Sequence, residues 1–116
     1  MLEARRGVRR IAKTDANQPD IVSALRGVGA SVCLLSQVGS GVPDLLVGFR
    51  GINLLMEVKD GNKPPSSRKL TKDQEDWHSE WRGQVVVVTT VEEAVSALSI
   101  SSGQSMPPRS QATRSA

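Results

Sequence analysis

Four short runs in this chain leave a strand no polar face: Ser31-Val-Cys-Leu-Leu-Ser36, Asp44-Leu-Leu-Val-Gly-Phe49, Leu54-Leu-Met-Glu-Val-Lys59 and Gln84-Val-Val-Val-Val-Thr-Thr90. Strands apolar on both faces must be covered on both, so the sheet they form needs helices packed against it. The helices are legible between the runs. Ile21, Leu25 and Val28 recur at i, i+4 and i+7 with Val22 beside them, which predicts a helix over 17–28. Pro19 falls in its first turn, Asp15 or Asn17 can cap it, and Gly29 is placed to end it. Thr71-Lys-Asp-Gln74 has capping-box form and opens a helix to about Arg82, with Trp77 and Trp81 on one face. Val91 to about Leu98 closes the body as a helix with an Ala94, Val95 and Leu98 stripe. Gly39 and Gly41 mark one turn, and Arg50-Gly-Ile-Asn53 folds the second run back on the third as a hairpin. Asp60 to Leu70, with Gly61, Pro64 and Pro65, reads as a loop. The β-branched run at 84–90 is expected to be a central strand. The element order is α-β-β-β-α-β-α, an α/β fold with a mixed central sheet flanked by helices.

The ends differ from this body. Residues 1–13 hold five basic side chains against Glu3, residues 104–116 hold two and no acid, and residues 14–103 hold eight basic against eleven acidic. Net charge is therefore +4, +2 and −3 in turn, which sums to the overall +3. The organisation read from this is a flexible basic arm at 1–13, one domain at 14–103 and a disordered tail at 104–116. The tail is Ser, Pro, Arg, Gln and Thr with almost nothing to bury. A uniformly cationic DNA-coating protein is excluded, and the acidic body calls for a use of carboxylates. One cysteine in 116 residues excludes an internal disulfide framework. No run approaches the roughly 18 apolar residues of a membrane span. The first residues have no apolar stretch suited to a secretory signal, so the expected setting is a soluble protein in a reducing cytoplasm.

Charges interrupt the apolar strands at three places. Asp44 opens the second run directly after Pro43, while Glu57 and Lys59 lie in the third. Alternation puts Glu57 and Lys59 on one face with Met56 and Val58 on the other. A hairpin turning at 50–53 brings Asp44 beside the end of the third strand. Two carboxylates and an ammonium then converge at a sheet edge, where each charge needs a partner or a metal. A bare Glu-x-Lys would be read as a salt bridge. Pro43-Asp44 at hairpin distance weighs against so plain a reading.

Pro43-Asp44, twelve intervening residues and Glu57-Val58-Lys59 have the form of the PD-(D/E)XK nuclease motif. More closely, Gly41-Val-Pro-Asp-Leu-Leu-Val47, Leu55-Met-Glu-Val-Lys59 and Leu70-Thr-x-x-Gln74 together resemble the stand-alone VRR-NUC (virus-type replication–repair nuclease) domain of phages and bacteria. The likeness runs from about Asn17 to the final helix. It implies a restriction-endonuclease-like αβββαβ core and Mg²⁺- or Mn²⁺-dependent hydrolysis of DNA phosphodiesters. On that resemblance Asp44 and Glu57 are metal ligands with the Val58 carbonyl, and Lys59 orients or deprotonates the attacking water. Two carboxylates suit a hard cation that keeps several waters, and a partly desolvated lysine beside it suits a base. Gln74 matches the family's glutamine, a role compatible with its use at the third position of a capping box. The family's first-helix acid has no clear counterpart: Asp15 and Asp20 are candidates, and Asn17 occupies a competing position. Junction-resolving relatives imply branched DNA, such as a four-way (Holliday) junction, as partner. Symmetric cutting of a junction needs two centres, hence a homodimer.

The loop after the third strand carries Lys63, Arg68, Lys69 and Lys72. Beside such a site these are expected to clamp phosphate, and the arm at 1–13 to add salt-sensitive contacts. Cys33 is expected in the core, His78 on the surface, and Trp77 and Trp81 in packing. Asp73, Glu75, Asp76 and Glu80 form the solvent face of their helix. Too few aromatics are present for a single-strand stacking platform.

Overall fold

The computed structural model describes residues 14–101; the expectations for the arm at 1–13 and the tail at 104–116 lie outside them. Helix α1 (Gln18–Gly27) leads into strands β1 (Ser31–Leu34), β2 (Leu45–Phe49) and β3 (Ile52–Val58). A 3₁₀ turn (Pro65–Arg68), helix α2 (Lys72–Glu80), strand β4 (Val85–Val88) and helix α3 (Val91–Ser101) follow. The strands pair in chain order, β1-β2-β3-β4. The first two pairings are antiparallel and β3–β4 is parallel, so the sheet is mixed, as the element order predicted. Among the described residues no helix is long and apolar enough to cross a membrane.

The core follows from strand alternation and the helical stripes. Leu45, Val47, Leu54, Met56, Val58 and Val88 meet Ile21, Val22, Leu25, Ala94 and Leu98 in one buried cluster. Each such aliphatic side chain contributes on the order of 2 kcal/mol by leaving water. Gly29, at φ +101°, ends α1 as the sequence suggested, and Ala30 N–H donates to the Leu25 carbonyl across the turn. The helix stops at Gly27, so Val28 falls off the apolar stripe and is exposed.

Chain-order pairing corrects three expectations. β4 is an edge strand and not a central one: Val88 is buried, whereas Val87 on the opposite face is 42% exposed. β1 is likewise an edge, with Leu34 57% exposed. Cys33 is therefore exposed and not core, because it points to the face opposite α1, beside Leu46. A β-branched or apolar run reports that a strand has something to bury. It does not report how many strands flank it. Trp77 and Trp81 also depart from expectation. They stack on each other with centroids 4.6 Å apart, but Trp81 follows the end of α2 and is 45% exposed.

Candidate metal-hydrolase centre

Register builds the centre. Leu45 pairs with Met56, so Asp44, one residue before β2, falls beside the end of β3. There its Oδ2 accepts from the Val58 N–H at 2.9 Å. Glu57 lies in β3 on the face away from α1 and α3, and is only 2% exposed. Lys59, on the same face just past the strand, is 9% exposed; its Nζ lies 3.8 Å from Glu57 Oε2.

Helix α2 supplies the fourth group. Thr71 is its N-cap, and the predicted capping box is complete: Thr71 Oγ1 accepts from Gln74 N–H at 3.2 Å, and Gln74 Oε1 accepts from Thr71 N–H at 2.9 Å. The same Oε1 accepts from Lys59 Nζ at 2.8 Å, and Gln74 Nε2 donates to Glu57 Oε2 at 3.0 Å. The capping role expected for Gln74 is filled, and the same amide reaches Lys59 and Glu57. A cap fixes the amide, and the fixed amide joins lysine to carboxylate.

Gly41 makes this meeting possible in a way the sequence did not reveal. Its φ is +84°, and a Cβ there would lie inside contact distance of the Asp73 carbonyl in the first turn of α2. The segment leading to Asp44 and the residue preceding Gln74 touch backbone to backbone. Gly41→Ala is expected to cost about 2 kcal/mol or more, from the left-handed backbone and the displaced helix. The melting temperature should fall by several degrees. An unchanged melting curve would show that the approach is not needed.

The electrostatics of the pair are unbalanced. Burial, then repulsion from Asp44, pushes the Glu57 carboxyl up to about 8, with Lys59 opposing. Asp44 is raised as well, chiefly by burial, against the lowering by its Val58 hydrogen bond. Glu57 Oε1 is buried with no hydrogen-bond partner. The two carboxyls share a side-chain hydrogen bond when one is protonated, and a buried pair that resists ionisation in this way is a donor set that fits a divalent metal ion in place of the proton. Among the described residues no group of three or more His, Cys, Asp or Glu is placed to hold a metal, which leaves two carboxylates as the acidic share.

The candidates for a first-helix acid separate clearly. Asp20 is exposed in the first turn of α1. Asp15 adds to the repulsion felt by both Asp44 and Glu57, and its Oδ1 accepts from Lys63 Nζ at 3.3 Å. Asn17 turns its amide to the backbone of the sheet. Of the loop cations, Lys63 therefore holds Asp15, and Lys72 holds Asp76 at 2.8 Å along α2. Lys69 is exposed, and Arg68 is half-buried at the end of the 3₁₀ turn. His78, expected on the surface, is half-buried one turn after Gln74. Burial, then the Lys59 charge, holds its imidazole below the ordinary value.

A mixed sheet with covering helices, bearing aspartate at one strand's start and Glu-x-Lys at the next strand's end, defines a restriction-endonuclease-like nuclease fold. Among solved structures, the chain is similar to one described as a VRR_NUC domain: 29% identity over 78% of this chain and 91% of that one, TM-score 0.52. That likeness supports reading the chain as a VRR-NUC domain protein. No family model and no curated protein matched the sequence.

Proposed function

We propose that this chain is a Mg²⁺- or Mn²⁺-dependent endodeoxyribonuclease selective for branched DNA such as a four-way junction. The observation that carries this reading is the convergence of Asp44, Glu57 and Lys59 on one end of β3, with Gln74 joined to two of them. Asp44, Glu57 and the Val58 carbonyl would hold the cation, which when bound would lower the pKa of water and neutralise charge on the phosphate. Glu57 gives up its proton to take that role. Lys59, held by Gln74 and Glu57, would orient the attacking water as an ammonium, and would accept its proton only after first releasing one of its own to solvent. Lys69 and Arg68 approach the phosphate backbone, and Lys63 and Lys72 can join them cheaply, since exposed ion pairs are worth only about 0.2–1 kcal/mol. A homodimer would supply the two centres that paired cuts in a junction require.

A second reading, a nuclease fold that binds branched DNA without cutting it, is favoured by the lack of a third acid in the centre among the described residues. One panel separates the two. Duplex, flap, single-stranded and four-way-junction DNA are incubated with Mg²⁺ or Mn²⁺, using wild type and Asp44→Ala. Cleavage of branched substrates by wild type only is the expected outcome. Junction binding with no product in either metal would select the second reading.

A further inference from the structure

Asn17 occupies the N-cap place of α1, yet its side chain makes no bond to the helix. An N-cap oxygen ordinarily accepts from the second or third N–H of its helix, and Pro19 removes one of these donors. The amide turns to the sheet instead. Its Nδ2 donates to the Lys59 carbonyl and to the Thr89 carbonyl, each at 3.1 Å. The register Val58 to Val88 makes Lys59 and Thr89 neighbours just beyond the parallel ends of β3 and β4. The ladder there is otherwise held by Lys59 N–H to the Val88 carbonyl at 2.9 Å and Gly61 N–H to the Thr89 carbonyl at 3.1 Å. Both hydrogens of one amide therefore close the point at which the chain leaves the sheet.

That point is where the centre is least defined by the strand. Lys59 lies one residue past the end of β3, so alternation sets the face of its side chain but the strand no longer fixes its peptide. Its ammonium is held at the far end by Gln74, and its peptide at the near end by Asn17.

We propose that Asn17 is a positioning residue of the hydrolytic centre, fixing the peptide from which Lys59 is presented; this rests on the nuclease reading above. The donor hydrogens are what the place requires. Asn17→Asp would bring a carboxylate against two carbonyl oxygens with nothing to donate, so an acid here would loosen the centre.

The test compares Asn17→Ala and Asn17→Asp with wild type in the full chain, by junction cleavage with Mn²⁺, amide hydrogen exchange and thermal melting. Cleavage is expected to lose roughly 10²-fold in kcat, with KM for DNA unchanged. The Lys59 and Gly61 amides should exchange faster, while β2 amides keep their protection. Asn17→Asp should lose at least as much as Asn17→Ala. In a Lys59→Met background, Asn17→Ala should cost no further cleavage. Retained kcat, an Asp variant more active than the Ala variant, or additional loss in the Lys59→Met background would each overturn the proposal. Exchange needs no turnover. If wild type cuts none of the substrates, the nuclease reading fails, but unchanged exchange at Lys59 and Gly61 would still refute the latch and faster exchange would still uphold it. Should Asn17→Ala not fold, Asn17→Ser, which keeps one donor hydrogen, is expected to show intermediate exchange and intermediate kcat. Wild-type values in that variant would count against the role.

Discussion

Glu57→Gln is expected to melt higher than wild type in EDTA at pH 8, and to hydrolyse no DNA in Mg²⁺ or Mn²⁺. Both outcomes come from the same carboxyl. In the folded chain it titrates near 8, against an ordinary value of 4.5. Between those values the native state keeps a proton that the unfolded chain has released, so stability is greatest below about pH 4.5 and falls as pH rises towards 8. By pH 8 most of that contribution is gone, a fall in melting temperature of at least several degrees in a domain of this size. Glutamine has nearly the same shape and carries no charge. Its carbonyl can accept from Gln74 Nε2 as Glu57 Oε2 does at 3.0 Å, and its amide can donate towards Asp44. The variant should therefore lose most of the downward slope of melting temperature with pH, the remainder belonging to Asp44, which is raised in the same sense. It should also lose affinity for Mn²⁺ in calorimetric titration. An unchanged pH slope would mean that Glu57 is not the buried titrating group.

Lys59→Met separates holding the metal from using it. The substitution keeps the aliphatic stem and removes the ammonium that Gln74 Oε1 receives at 2.8 Å. Cleavage is expected to fall by about 10³-fold or more, as for loss of an acid–base group together with its positioning. Metal binding should survive but move to higher pH, because Lys59 is what lowers the Glu57 carboxyl against burial and Asp44. Mn²⁺ titrations at pH 7 and pH 9 check this: weak binding at the first and recovery at the second. Near-normal cleavage in the variant would take Lys59 out of the chemistry and leave it as a counter-charge.

Much of the centre was legible because short-range rules determine it. Alternation placed Glu57 and Lys59 on one face, and the turn at Arg50-Gly-Ile-Asn53 fixed the register that carries Asp44 to Val58. The capping box could be read from Thr71 and Gln74 alone. What could not be read depends on contacts between distant segments. The Gln74 amide reaches Glu57 because Gly41 lets α2 approach the backbone before Asp44, and a glycine in a turn-rich segment looks the same with or without that approach. Asn17 looked like a cap or a substituted acid, since its true partners lie 42 and 72 residues away. The edges were misplaced for a related reason: Val85–Val88 is equally valine-rich whether it has one neighbour or two.

The capping box has a kinetic meaning as well. Three of the four strands can zip together through short connections, but β4 joins only after the chain has passed through α2. None of the residues of α2 is fully buried, so little apolar surface drives it onto the sheet. Its attachment runs through Gln74, whose oxygen both starts the helix and grips Lys59. A partly folded β1–β2–β3 species would carry Asp44 and Glu57 but no oriented lysine. On the nuclease reading, the lysine would therefore be oriented only once α2 has docked on the sheet.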